Sequence, residues 1–270
     1  MQIRNIVEFR KFLDQNLQFP QDSYIYRGHG DKDWELKPRI ARRGEKQRIY
    51  NLDENIFLIH EREFLEEFVN KYKRHSDLKY TPPNLLETLM MARHFGFPTR
   101  LLDWTSNPLI ALFFAVYEEW NKDGIVWCFD TSIQTIKDPN IALERIREIE
   151  EQDSSRQNEI YFLEVPNGLK ESIPRIKKQE ARFTFHTKNF KCMKTQHFTY
   201  LRGIVIDKDI KPYILQELKG EKIDNVSLFP DLDGLCKHLM LELQINQKIA
   251  ENDNVRFLEK QLENAKGSDD

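Results

Sequence analysis

Apolar residues Ile6, Val7, Phe9, Phe12, Leu13 and Leu17 recur near a helical period, so residues 5–17 are expected to form an amphipathic opening helix. The run Tyr24-Ile25-Tyr26 reads as a short strand that ends at Arg27-Gly28, where the chain should turn. From Arg39 to Arg48 the pattern is basic and aperiodic, as in a surface loop. Phe57, Leu58, Phe64, Leu65 and Phe68 share one face of a long helix over residues 54–74. A further helix over 84–95 is opened by Pro82-Pro83 and closed by Gly96 and Pro98. The next, 107–120, carries Pro108 in its first turn and is apolar almost all round, so it should be buried. From Gly124 onward the rhythm turns to strands at 125–129, 160–165, 182–186 and 203–206, rich in β-branched and aromatic residues. A helical insertion at 140–152 interrupts them, and helices at 208–219 and 232–250 follow.

No internal repeat or low-complexity linker divides the chain. The pattern predicts a single α+β domain over residues 1–250, helices first and a mixed or antiparallel sheet later, followed by a polar tail at 251–270 that frays towards its end.

Composition narrows the classes. A chain of 270 residues can bury a core without disulfides or metals. Cys128, Cys192 and Cys236 are odd in number, far apart and outside any metal-ligand spacing, which implies a reducing compartment and thiols packed as small apolar groups. Lys plus Arg (41) nearly balances Asp plus Glu (44), so a net charge of -3 gives no global attraction to nucleic acid or membrane. No window approaches the roughly 18 apolar residues of a spanning helix, and the first residues lack the form of a signal peptide. The expected location is the cytoplasm, with no membrane partner. His29, His186 and His197 have no metal-binding spacing, so no metal is expected.

Four stretches carry the most specific signal: Tyr26-Arg27-Gly28; the run from Ala92 to Pro108, ARHFGFPTRLLDWTSNP; Ala111-Leu112-Phe113-Phe114-Ala115; and residues 228–235, LFPDLDGL. In that order they resemble the FRG-domain family, over roughly residues 5–245. Gln179 with Phe183-Thr184 is similar to the family's Gln-containing strand, although Glu180 and Arg182 depart from the small or neutral residues expected there. More distantly, the order resembles ADP-ribosyltransferases of the Arg-Ser-Glu type. These share an aromatic-Arg-Gly strand, a Ser-Thr-Ser-like strand leading into an Ala-flanked helix, and a strand bearing a catalytic Glu.

That resemblance implies an ADP-ribosyltransferase-like mixed sheet with N-terminal and flanking helices. It also implies NAD as substrate and transfer of ADP-ribose to a macromolecular acceptor, protein or nucleic acid, or else NAD hydrolysis. The setting it suggests is a bacterial toxin or antiviral defence, in which a neutralising partner is compatible. Arg27, Ser106 and Glu180 become the candidate catalytic residues, and Tyr26, Arg27, Gly28, His94, Thr105 and Gln179 the candidate binding residues. A guanidinium forks two hydrogen bonds to phosphate or ribose oxygens. Gly28 would let the backbone approach the ligand, Ser106 would hold a ribose or orient a carboxylate, and Tyr26 or Phe183 would stack on nicotinamide. Glu180 would stabilise positive charge developing on the ribose.

Structural readings of the same residues stand beside these. Arg27 can pair with Asp103, Arg100 can serve packing, Ser106 can share a helix cap with Asn107, and Asp231 and Asp233 can cap the helix after Pro230. Two other functions also remain open. One is a non-catalytic nucleotide- or protein-binding module on the same scaffold. The other is a metal-dependent nucleic-acid-processing protein using the basic run Arg39, Arg42, Arg43, Lys46 and Arg48 with acidic residues such as Asp103 and Asp231.

Overall fold

The computed structural model describes residues 3–41, 54–75, 80–132, 160–186 and 200–266, with positions 135–136, 144 and 193. The expected helical insertion at 140–152 and the basic positions 42–48 lie outside the described residues, apart from Glu144.

Helix α1 (Ile6–Asn16) begins where Asn5 accepts a hydrogen bond from the Glu8 amide at 2.8 Å, and it buries Ile6, Phe9 and Leu13. Helices α2 (Glu54–His75) and α3 (Leu85–His94) follow. The α3 N-terminus uses the same device, Asn84 accepting from Glu87. Helix α4 (Pro108–Val116) is capped by Asn107 and buries seven of its nine residues, as its all-round apolar pattern predicts.

Among the described residues the sheet is seven-stranded, in the order β4-β5-β6-β2-β1-β3-β7. Its strands are β1 (Tyr24–His29), β2 (Leu101–Thr105), β3 (Gly124–Asp130), β4 (Thr135–Ile136), β5 (Ile160–Leu163), β6 (Ala181–His186) and β7 (Leu201–Ile206). Every neighbouring pair is antiparallel except β4–β5. The chain is thus α+β with a mixed sheet. Short helices α5 (Asn167–Ser172) and α6 (Pro174–Lys178) precede β6. Helices α7 (Lys211–Gly220), α8 (Asn225–Leu228) and α9 (Leu232–Lys266) close the chain.

Three apolar clusters hold these layers together. On one face, α1, α4, α7, α8 and α9 cover Tyr24, Tyr26, Val126, Cys128, Ile204 and Ile206. Further along the same face, α2, α3, α5 and α6 cover Leu101, Tyr161, Phe183 and Phe185. The reverse face buries Ile25, Leu102, Trp104, Phe129 and Phe162 with Leu36 and Met193. Leu101, Leu112, Phe113 and Leu228, expected in the core, are all at most 2% exposed.

Several expectations change. Strand β1 does not turn at Arg27-Gly28; it pairs with β3 through His29. Residues 101–105, which have no polar-apolar alternation, form a central strand whose ends are buried on both sides of the sheet. The polar tail, expected to fray over 259–270, is helical as far as Lys266. Cys128 is buried but Cys236 is exposed, so only the first packs as a small apolar group, and Cys192 lies outside the described residues. Among the described residues no helix is long and apolar enough to cross a membrane.

Candidate functional site

Strand β1 pairs with β3 along its whole length, and β2 with β6 along its own, but the register between β1 and β2 is the single pair Tyr26–Thr105. The sheet therefore consists of two halves joined at one point. A cleft of 1380 Å3 opens at this divergence, and residues from both faces of β1 and β2 line it. Its other walls are the C-terminal end of α3, the end of α4, helix α6 and the Pro230-Asp231 turn.

Arg27 sits at the divergence with its side chain only 15% exposed. Its Nη1 donates to the Asp103 carbonyl oxygen at 2.6 Å and lies 3.7 Å from Asp103 Oδ2, while Nε donates to His29 Nε2 at 2.9 Å. The guanidinium thus serves a main-chain acceptor on β2 at a point where β1 supplies no ladder partner. The Asp103 carboxylate is also gripped by Arg93 through both Nε and Nη2. The anticipated Arg27–Asp103 pairing is present, within a larger Arg27–Asp103–Arg93 network.

Gly28 lines the cleft, yet its principal constraint comes from behind. A Cβ there would lie 2.0 Å from the Ala111 carbonyl oxygen and 2.5 Å from the Ala115 amide, so Gly28 and the Ala111/Ala115 pair let α4 pack backbone-to-backbone on β1. Gly28 therefore has a packing role on the α4 side in addition to its place in the cleft wall. The Tyr26 side chain is buried against α1 and α4, and its hydroxyl donates to Gln21 O at 3.3 Å. Stacking on nicotinamide by the Tyr26 ring is not open to it.

Ser106 and Glu180 come together. Glu180 accepts from Ser106 Oγ at 3.1 Å and from Asn107 Nδ2 at 2.9 Å, and the Ser106 amide donates to the Glu180 carbonyl. Neither side chain lines the cleft, but Thr105, Gln179 and Ala181, which flank them in sequence, do. The Ser106–Glu180 pair therefore stands at the rim. Glu180 is exposed and adopts φ 46°, a left-handed conformation unusual for a residue with a side chain. Asn107, not Ser106, caps α4. Thr105 Oγ1 accepts from the Asn107 amide, and Gln179 Nε2 donates to Leu228 O at 3.2 Å.

His94 lines the cleft, and its pKa is pushed down to about 4, first by burial and then by the charges of Arg175 and Arg93. Glu118, at the far wall, is shifted upward by burial and by Glu119. Reading the sequence alone missed Arg39, Arg93, Arg175, Trp34 and Tyr117 as cleft residues. Arg93 lay inside the longest motif and Arg39 at the head of the basic run; Trp34, Tyr117 and Arg175 come from segments with no local signature. Arg39 opens the basic run and reaches Gly96 O at 3.3 Å. Arg100 is structural: it pairs with Glu61 at 2.5 Å and lies over Phe185. Asp231 accepts from the Gly234 amide at the start of α9, as a cap does, and Asp233 pairs with Lys237.

Residues 22–124 match the FRG domain, a segment spanning β1, β2, α4 and the start of β3. No curated protein and no solved structure matches the chain at a significant level.

Proposed function

We propose, from the resemblance of its motif order to Arg-Ser-Glu type ADP-ribosyltransferases and from the cleft, that the protein binds NAD as a substrate and transfers its ADP-ribosyl group to a macromolecular acceptor. The observation that supports this reading is the hydrogen-bonded Ser106–Glu180 pair at the rim of the cleft that Arg27 lines. The bond between nicotinamide N1 and ribose C1′ breaks, and its electron pair leaves on nicotinamide. The C1′ cation is then captured by a nucleophile of the acceptor, whose proton passes to solvent; capture by water instead gives NAD hydrolysis. Glu180, oriented by Ser106, stabilises the cationic ribose. Arg27 positions the dinucleotide, a role for which Lys lacks the fork.

A second reading rests on the same carboxylate. Both Glu180 oxygens already have donors, Ser106 and Asn107, which is also what a purely structural brace at the start of α4 would show. The cleft would then bind a nucleotide without turnover.

Incubation of the full chain with labelled NAD, alone and with cell lysate, separates the two. Transfer predicts labelled macromolecule and released nicotinamide, with turnover in Glu180→Gln falling roughly a hundredfold or more while NAD binding persists. Arg27→Lys should lose most NAD affinity. NAD binding without nicotinamide release would leave the binding module standing and remove the transferase.

A further inference from the structure

Arginines in the cleft differ in what already occupies them. Arg93 is clasped by the Asp103 carboxylate, Arg27 serves the Asp103 carbonyl and His29, and Arg39 donates to Gly96 O. Arg175, near the start of α6, is held differently. Its guanidinium carbon lies 4.3 Å from the centroid of Phe229, a ring only 8% exposed and anchored in the main core. A guanidinium held over a ring face keeps N–H groups available for acceptors around its edge. Among the described residues no hydrogen-bond acceptor takes them, and Asp231 and Asp103 act on the charge only from beyond ion-pair distance.

The side chain is half-buried, so part of its hydration is already lost, while none of its nitrogens is sealed from solvent without a partner and all remain open to an anion. Burial is the first cause lowering the Arg175 pKa. The Phe229 stack restricts the side chain, so less rotamer freedom is lost when an anion arrives. The position is also specific: Arg175 and Arg27 line the same cleft, one from α6 and one from the β1–β2 divergence.

The geometry points to Arg175 as the phosphate anchor of the cleft, a binding residue that takes phosphoryl oxygens of a pyrophosphate-bearing ligand in a forked, Phe229-backed contact. The pyrophosphate of NAD is that group if the proposed function holds; the anchoring itself does not depend on turnover.

The test is calorimetric titration of the full chain with inorganic pyrophosphate and with ADP-ribose, in the unmodified protein, Arg175→Gln and Arg175→Lys, each checked for folding by its melting temperature. Both ligands should bind the unmodified protein. Arg175→Gln should weaken both by tenfold or more, and Arg175→Lys, which keeps the charge and most of the stem over Phe229, by a smaller but measurable factor. If Arg175→Gln fails to fold, the lysine variant decides. Unchanged affinities in a folded variant overturn the assignment, as does failure of the unmodified protein to bind either ligand. Loss of both ligands in the variants, with no nicotinamide release from NAD by the unmodified protein, keeps Arg175 as the anchor and removes the transferase. Turnover with unchanged ligand binding in both variants removes Arg175 and keeps the transferase.

Discussion

His94 shows how one side chain reports on the cleft around it. Its folded pKa of about 4 lies below the ordinary 6.5 because burial and two nearby guanidiniums penalise the imidazolium. Between pH 6.5 and 4 the unfolded chain therefore binds more protons at this site than the folded one, so its contribution makes stability fall as the pH falls through that window. The variant His94→Gln should show a flatter dependence of denaturation midpoint on pH from 6.5 to 4. An unchanged slope would mean that His94 is not held neutral by its surroundings. Little of this was legible beforehand: the sequence marks His94 as a candidate and places Arg93 beside it, but the larger of the two lowering charges comes from Arg175, far along the chain in a helix too short to carry a periodic pattern. Arg27 was legible because its tripeptide, weak alone, stands in order ahead of the specific 92–108 motif. Ser106 was weighed both as a cap and as a residue that orients a carboxylate; it donates to Glu180, and Asn107 beside it does the capping.

Elements with explicit punctuation were the readable ones. Asn5, Asn84 and Asn107 cap α1, α3 and α4 as their side chains allow, and Pro108 sits in the first turn of α4. Strand β2 was hidden because Leu101-Leu102-Asp103-Trp104-Thr105 is covered on both faces and does not alternate, and α9 outran its expected end through Asn252-Asp253-Asn254, poor helix formers that obscure the helical spacing of Val255, Leu258 and Leu262 beyond them. Nor does any local pattern disclose how the end of α4 is fixed. Fully buried Lys211 at the start of α7 donates to the carbonyls of Gly30, Glu118 and Glu119 at 2.7, 3.1 and 3.0 Å, joining the loop after β1 to the turn after α4. Burial pulls its pKa down to about 8, yet its ammonium satisfies three acceptors at once. Lys211→Met fills similar space but strands those carbonyls. It should cost at least the roughly 1–3 kcal/mol of one unsatisfied buried acceptor, read as a lower denaturant midpoint. Because Glu118 and Glu119 line the cleft, ligand affinity should fall with it.

At the scale of the whole molecule, the chain is two sheet halves with separate helical covers, and the cleft is the space where they part. One half contains β1, β3 and β7 beneath α4; the other contains β2, β6 and β5 beneath α2 and α3. Besides the Tyr26–Thr105 pair, the polar link named across the divergence is Arg27 to Asp103, made both to the carbonyl and, at 3.7 Å, to the carboxylate. The carboxylate part can be isolated, because Asp103→Asn keeps the carbonyl. A double-mutant cycle on Arg27→Met and Asp103→Asn, followed by denaturation, should give a coupling near the low end of the roughly 0.5–3 kcal/mol found for contacting residues. The Asp103 side chain is 37% exposed and solvent weakens the pair. The single change Asp103→Asn should also leave Arg27 and Arg93 facing each other without their shared counter-charge. Stability should therefore fall while the cleft becomes one charge more positive, and pyrophosphate should bind more tightly to the less stable protein. A coupling of zero together with unchanged pyrophosphate affinity would mean that the carboxylate neither joins the halves nor restrains the arginines, leaving the carbonyl contact, the Tyr26–Thr105 pair and the apolar cluster in which Trp104 packs on Phe129 to hold the cleft in shape.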